Sequence, residues 1–513
     1  MKKQYVVGVD IGTTSTKALV YNEKGGILGQ HAVEYPFYTP HPAWVEQDPD
    51  EILHAVITSI KYSIEKSGIN PEEILTVSFS SAMHSLIAMD DNGNALTRSI
   101  TWADSRAQKY AEELKANGLG KEIFSRTGTP IHPMSPLLKI LWFKEEATDI
   151  FKQTSKYISI KEYVFYRFFK KYIVDYSIAS ATGMFNLYEL DWDQGALDLL
   201  ELSISQLSKP MDTIALVEGL DPKYANKMGL STDTPFTLGA SDGVLANLGV
   251  NAIKPGVVAA TIGTSGAVRA VTNKPVIDPK QRLFCYALTS DKWVVGGAIN
   301  NGGIMYRWMR DELASAEVET AKRLGIDPYE ILGQIAENIP AGSDGLIFFP
   351  FLTGERAPEW NANARGMFFG VSIMHKREHI IRAVLEGVIY RMNSVAIALE
   401  ELLGPIQKVQ ATGGFARSTL WRQIMSDVMN KEVEVPLSVE SSAFGAALLG
   451  FYATGKITSL DIVDELIETK HTHQPIADNV IKYQELMEIY IRVYHKVKDE
   501  FDSIASYQKK YVK

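Results

Sequence analysis

A mixed α/β fold built as two similar domains is what this sequence predicts, on three observations. The chain has 513 residues, 46% of them hydrophobic. At roughly 100–200 residues per domain, that supports two or more sizeable cores. Strand-like runs alternate with amphipathic helical runs. A motif near the start also recurs half a chain later. Ile11-Gly12-Thr13 is matched by Ile262-Gly263-Thr264 in "AATIGTSGAVRAV" (259–271), an offset of 262 − 11 = 251 residues. A repeat of that length points to two related domains around a cleft.

The elements follow in order. Residues 5–11 alternate in character, and Lys17 to Tyr21 read as a second strand. The turn Asn22-Glu23-Lys24-Gly25-Gly26 leads to a third, Ile27 to Val33, giving an antiparallel meander. Asp48 suits a helix N-cap and Pro49 the first helical position. Ile52, Leu53, Val56, Ile57, Ile60 and Ile64 make one apolar stripe, and Gly68 closes the helix. "ILTVSFSS" (74–81) reads as a buried strand and "DDNGNAL" (90–96) as a hairpin turn. In the second half, "GGAINNGG" (296–303) precedes a helix. "VQATGGFARS" (409–418) is a strand, a glycine turn and a helix with Trp421 and Ile424 inward. "SSAFGAALLG" (441–450) is a small-residue helix suited to close packing. Asn479 to about Ser503 reads as one long helix with Tyr483, Leu486, Tyr490, Val493, Tyr494 and Val497 near one face.

The totals narrow the function. A net charge of −9 argues against a nucleic-acid-binding face. One cysteine, Cys285, cannot form an internal disulfide, which fits a reducing cytoplasm. A strand pattern begins by Tyr5, so no signal peptide is expected. No apolar run approaches the ~20 residues of a membrane span.

The polarity at the end of the first strand is unusual. Asp10 and Gly12 are followed by hydroxyls at Thr13, Thr14, Ser15 and Thr16. Glycine turns let backbone N–H groups approach phosphate oxygens, and hydroxyls add donors. A lone turn of this kind is usually a plain hairpin; its echo at Gly263 and Thr264 favours phosphate. Lys17 could add charge, strand alternation allowing it to face either side of the sheet. Neither GxxxxGK[ST] nor a GxGxxG after the first strand is present, which argues against a P-loop and a dinucleotide fold. Thr261 stands where Asp10 stood, so the carboxylate is not duplicated. A second acid, Asp242, lies in "LGASDGVLANLG" before a helical pattern. Two aspartates suit phosphoryl transfer to an alcohol, one accepting the hydroxyl proton and one holding Mg²⁺. An N-cap is the equal alternative for Asp242. The His471-x-His473 pair reads as exposed and near a loop rather than as a metal site.

These residues and several longer motifs together resemble the FGGY family of carbohydrate kinases, in the actin/hexokinase/Hsp70 ATPase superfamily. The resemblance runs from Tyr5 to about Gly450. "DIGTTSTK" (10–17) is similar to the family's first phosphate loop, "TIGTSG" (261–266) to its second and "TGGFARS" (412–418) to its adenosine-binding turn. "MSPLLKILWFKEE" (134–146) has Pro136, Lys139 and Trp142 in place. "GMFFGVSIMHKREHIIRAVLE" (366–386) has Gly366, Gly370, Ala383 and Glu386. "TGERAP" (353–358), followed by "NARG" (363–366), is a further family trait.

The resemblance implies two ribonuclease-H-like domains flanking a catalytic cleft, residues 1–250 and 251–513. The first would carry sugar binding and the base, the second adenosine binding. It implies ATP and Mg²⁺ as cofactors, with Asp242 as base and Asp10, together with Asp242, at the metal. Thr13, Thr14, Ser15, Lys17, Gly263 and Thr264 would meet the phosphates. Gly303, Gly413 and Gly414 would line the adenosine pocket. In "SSAMHSL" (80–86) and "TWADSRA" (101–107), His84, Trp102, Asp104 and Arg106 would face the acceptor. The "SSAMHSL" form is most similar to family members that act on gluconate, whose carboxylate could meet His84, Arg106 or Lys139; Arg106 pairing with Asp104 is the alternative. Xylulose or another ketose or polyol is the alternative acceptor, and glycerol is disfavoured. An actin- or Hsp70-type ATPase without acceptor is the reading from another class, as is a sugar sensor without turnover. A homodimer is expected by analogy alone.

Overall fold

The structure is a computed structural model and describes residues 3–437 and 440–511. It forms two compact units that interleave along the chain. The first comprises Met1–Ile253, Val271–Val295 and Glu440–Ile467. The second comprises Lys254–Ala270, Gly296–Val439 and Glu468–Lys513.

The first unit is organised by a mixed sheet. Its strands are β1 (Tyr5–Ile11), β2 (Ser15–Tyr21), β3 (Ile27–Glu34), β4 (Ile74–Ser81), β5 (Leu216–Val217) and β6 (Phe236–Ser241), in the order β5-β6-β4-β1-β2-β3. β1, β2 and β3 form the expected antiparallel meander. β1 and β6 both run parallel to β4, and β5 pairs antiparallel at the edge. The helix Pro49–Ser67 covers one face. Asp48 caps it by accepting from the Asp50 and Glu51 amides, and Gly68 ends it at φ 69°. The predicted stripe is buried throughout. Each such side chain stabilises the core by about 1.5–3 kcal/mol.

The helix Ser441–Ala453 packs on the same sheet and against the helix Asp242–Gly249. Glycine is required at that crossing. A Cβ on Gly249 would lie 1.9 Å from the Ser441 carbonyl oxygen, and one on Gly445 2.3 Å from that of Leu245. The small-residue pattern at 441–450 is thus a close backbone approach.

The second sheet, centred in the second unit, has seven strands among the described residues; six of them, β7 (Val257–Ile262), β8 (Gly266–Thr272), β9 (Trp293–Ile299), β10 (Lys408–Thr412), β11 (Glu432–Pro436) and β12 (Thr469–His473), follow the order β9-β8-β7-β10-β11-β12. β7 pairs antiparallel with β8 and parallel with β10, β10 is parallel to β11, and β12 returns antiparallel. The same spatial order appears in the first sheet, read β3-β2-β1-β4-β6-β5, although β5 precedes β6 in the chain whereas β12 follows β11. The short echo in sequence therefore marks a repeated topology, with Thr261 on β7 at the place Asp10 holds on β1.

Two expectations need correction. The C-terminal helix is broken, running Ala477–Val497 and then Glu500–Tyr511; Tyr483, Tyr490 and Tyr494 are buried, while Leu486, Val493 and Val497 are half-buried. His471 and His473 lie on strand β12 rather than near a loop, and His473 Nδ1 sits 3.1 Å from Gln423 Oε1.

Candidate active site

Asp10 and Asp242 lie at the same edge of the first sheet. Asp10 is the penultimate residue of β1, and Asp242 follows the last residue of β6. Both strands flank β4, with Asp10 and Ala240 each opposite Ser80. At about 4.8 Å between strands, the two backbones are roughly 10 Å apart. The carboxyl ends of parallel strands are where open α/β sheets bind ligands. Ser80 Oγ donates to Asp10 Oδ1 at 2.8 Å. Desolvation first, then the Asp242 carboxylate, raises Asp10 to about 7, against the opposing effects of Ser80 and Lys17. Like charges gathered away from water favour a proton or a cation.

Asp242 is not the N-cap. Ser241 holds that position and makes no side-chain capping bond. Asp242 is the first helical residue; its Oδ1 accepts from the Gly243 amide at 2.7 Å, and its carbonyl accepts from Ser442 Oγ at 3.1 Å. Gly239 shapes the approach. Its φ is +67°, and a Cβ there would fall 1.7 Å from the Phe79 carbonyl oxygen. The register of β6 against β4 shifts between Thr237 and Ala240.

The first glycine turn closes with Gly12 N–H donating to Ser15 O at 3.0 Å. Thr14 is exposed, Thr13 and Ser15 are half-buried, and Thr16 is buried. Three side chains far from the turn in sequence brace it. Tyr35 OH donates to Gly12 O at 2.7 Å, Gln47 Nε2 to Thr13 O at 2.8 Å, and Trp102 Nε1 to Thr13 Oγ1 at 3.2 Å. Lys17, opposite Asp10 in the β1–β2 register, is directed to Glu440, 3.0 Å from both carboxylate oxygens. Such a part-exposed pair is worth only ~0–1 kcal/mol.

The acceptor candidates divide. His84, at φ 67°, follows β4. Its Nδ1 lies 2.7 Å from the Ala181 carbonyl, which can only accept, so Nδ1 carries a proton. Trp102 reaches the glycine turn as described. Asp104 and Arg106 pair with each other. Arg106 Nε and Nη2 donate to both Asp104 oxygens at 2.9 and 2.8 Å, Nη2 donates to Glu46 at 2.6 Å, and the guanidinium lies 3.9 Å over Trp44. Asp104 also accepts from the Val45 amide at 2.8 Å. Lys139 is 0% exposed and donates to the carbonyls of His84 at 2.5 Å and Thr101 at 2.8 Å. Arg106 thus pairs with Asp104, and Lys139 is taken up by backbone carbonyls. The three fix the segments carrying Trp102 and His84.

In the second unit the three glycine turns meet. Gly263 N–H donates to Ser265 O at 2.9 Å, closing a turn one residue tighter than that at Gly12; Gly303 N–H donates to Gly263 O at 2.7 Å, and Ile304 N–H to Thr264 O at 3.1 Å. A cavity of about 910 Å³ is lined by Gly263, Thr264, Gly303, Tyr329, Gly414 and Trp421 among others. That is within the ~300–1,000 Å³ of small-molecule sites. Gly413 lies behind this lining, packed against the Ile262 backbone, while a Cβ on Gly414 would meet open space.

Sequence reading missed Ser80, Gln47, Tyr35 and Glu440. Ser80 could have been found from the β1–β4 pairing. Among the described residues, no group of three or more His, Cys, Asp or Glu is placed to hold a metal ion. Asp10 and Asp242 form a two-carboxylate set, which suits a hard cation that keeps most of its waters. No helix among the described residues is long and apolar enough to cross a membrane.

Comparison with known proteins accords with this geometry. The chain is 52% identical over 507 residues to a protein of Bacillus subtilis (strain 168) named Gluconokinase, covering 98% of each. A crystal structure described as gluconate kinase from Lactobacillus acidophilus superposes with a TM-score of 0.93 at 35% identity, over 98% of this chain and 99% of that one. One described as ligand-bound xylulose kinase from the same organism gives 0.92 at 35% identity, with the same coverage. Residues 5–249 match the model of the N-terminal domain, and residues 258–454 that of the C-terminal domain, of the FGGY family of carbohydrate kinases. The chain belongs to the FGGY family of carbohydrate kinases.

Proposed function

We propose that this chain transfers the γ-phosphoryl group of ATP to gluconate, forming 6-phosphogluconate, with Asp242 as the base. The observation that carries the reading is the pair Asp10 and Asp242 on one sheet edge, in a chain 52% identical to a gluconokinase. Asp242 would take the proton from the acceptor hydroxyl as it attacks in line. Asp10, with Asp242, would hold Mg²⁺, which when bound neutralises charge on the phosphate oxygens. Thr13, Thr14, Ser15 and Lys17 would meet phosphate from the first turn, and Gly263 and Thr264 from the second. His84 and Trp102 would face the acceptor, with the Asp104–Arg106 pair beside them. Gly303 and Gly414 would line the adenosine cavity, with Gly413 supporting the turn. A boundary near residue 250, dividing 1–250 from 251–513, is supported by the matched segments 5–249 and 258–454, although 271–295 and 440–467 belong to the first compact unit. By analogy with related kinases we take the enzyme to be a cytoplasmic homodimer, which sedimentation would check.

Xylulose is the second acceptor, favoured by the 35% identical structure described as a xylulose kinase. Initial rates with gluconate, xylulose, ribulose and glycerol decide between them. Gluconate should give the highest kcat/KM. A higher value for xylulose would replace this reading, and acceptor-independent ATP hydrolysis would favour the ATPase class.

The cavity assignment has its own test. Gly414→Leu adds a side chain where a Cβ meets nothing within 4 Å. It should weaken ADP binding by roughly 10- to 100-fold, the equivalent of ~1–3 kcal/mol of overpacking. Calorimetric titration giving parental affinity would place the nucleotide elsewhere.

A further inference from the structure

A buried ion pair lies behind the strand that delivers Asp242, and nothing in the proposed chemistry uses it. Lys161, on the helix Ile160–Phe169, is 2% exposed. Its Nζ lies 2.5 Å from Asp175 Oδ2 and donates to the carbonyls of Leu238 at 3.1 Å and Ala240 at 3.4 Å. Those carbonyls flank Gly239, the kink in β6. Asp175 is fully buried; its Oδ1 accepts from the Ile178 amide at 2.9 Å, capping the short helix Tyr176–Ser180. Ser177, on that helix, clasps the residue before the base. Its Oγ donates to Ser241 Oγ at 3.0 Å and accepts from the Ser241 amide at 3.1 Å.

Removing two charges from water is costly, and a well-packed apolar pair commonly gives equal or greater stability. The pair is therefore poorly accounted for by stability alone. Its geometry has a different consequence: Lys161 holds the carbonyls of residues 238 and 240, and the helix that Asp175 caps carries Ser177, which holds Ser241. The Lys161 charge also lies close enough to Asp242 for the two to interact.

We propose that Lys161, with Asp175 and Ser177, is a positioning group that fixes the end of β6 so that the Asp242 carboxylate meets the acceptor hydroxyl. The proposal rests on Asp242 being the base. A displacement of about 1 Å at a reacting group can cost on the order of 100-fold in rate.

The test uses the full-length enzyme with gluconate and ATP. Lys161→Met/Asp175→Asn removes both buried charges together, and Ser177→Ala removes the clasp alone. The double variant should lower kcat by about 100-fold and Ser177→Ala by about fivefold, each with both KM values near parental. Neither should lower the residual rate further in an Asp242→Asn background, because the group acts through that side chain. A folded double variant at parental kcat overturns the proposal, as does a full additional loss in the Asp242→Asn background. Melting temperature and ADP binding report folding. If the double variant does not fold, Ser177→Ala decides alone, and parental kcat there overturns it. Failure of the base assignment is distinguishable, because Asp242→Asn would itself be active.

Discussion

Asp242→Asn is expected to lower kcat for gluconate phosphorylation by about 10²–10⁴-fold, the range general-base groups supply. The substitution is nearly isosteric. An amide oxygen can still accept from the Gly243 amide, which lies 2.7 Å from Asp242 Oδ1 in the parent. The helix start and the Ser442 contact to the Asp242 carbonyl are also retained. What disappears is the ability to accept a proton, together with one of two like charges at the sheet edge. Because Asp242 raises Asp10, losing its charge lowers the Asp10 pKa toward the usual carboxylate range. The folded state should therefore be no less stable near neutral pH. Nucleotide binding should persist, since the cavity is lined by residues 262–421. Single-turnover kinetics with ADP titration separates the steps. Near-parental turnover would remove Asp242 from the base role, whereas loss of ADP affinity would show a wider structural effect.

How much of this could be read beforehand depended on sequence distance. The helix Pro49–Ser67 was legible because its cap, stripe and terminating glycine are all local. The repeat was legible from a few residues because a strand–turn–strand unit with Ile-Gly-Thr is compact, and it marked a shared sheet order that no local pattern could give. Asp10 stands out as a carboxylate at a strand end and Asp242 as one before a helical pattern, and the parallel pairing of β1 and β6 to one strand brings them to one edge. For Arg106 the pairing with Asp104 is local and was foreseeable, whereas Glu46, 60 residues away, and the face of Trp44 also take up its guanidinium. Lys139 looked like a substrate cation, yet the carbonyls of His84 and Thr101 occupy it. Lys17 found Glu440, 423 residues on. A local pattern shows which side chains carry charge, whereas tertiary packing decides which charges are already paired.

Glu386→Ala should cost about 3–5 kcal/mol, the usual consequence of stranding one member of a buried ion pair. Sequence marked this residue only as part of a family signature; the structure supplies a physical reason. Glu386 is 0% exposed and collects four donors. Arg382 Nε and Tyr483 OH each reach Oε1 at 2.7 Å, the Gly342 amide reaches it at 3.0 Å, and Ser343 Oγ reaches Oε2 at 2.8 Å. One carboxylate thus ties the long helix Arg377–Leu403 to the turn at 342–343 and to the C-terminal helix. Arg382 Nη1 in turn donates to Ala336 O at 3.2 Å, on the helix Pro328–Glu337. That helix contributes Gly333 and Gln334 to the cavity. Truncation leaves the Arg382 charge, the Gly342 amide and the Tyr483 hydroxyl without their acceptor. Thermal denaturation should show a lower melting temperature, and ADP should bind more weakly because the helix loses an anchor. Arg382→Met/Glu386→Met, which removes both charges and refills the volume, should recover much of the stability. Should Glu386→Ala alone melt at the parental temperature, or the double variant prove less stable than the single, the stranded charge is not what Glu386 prevents.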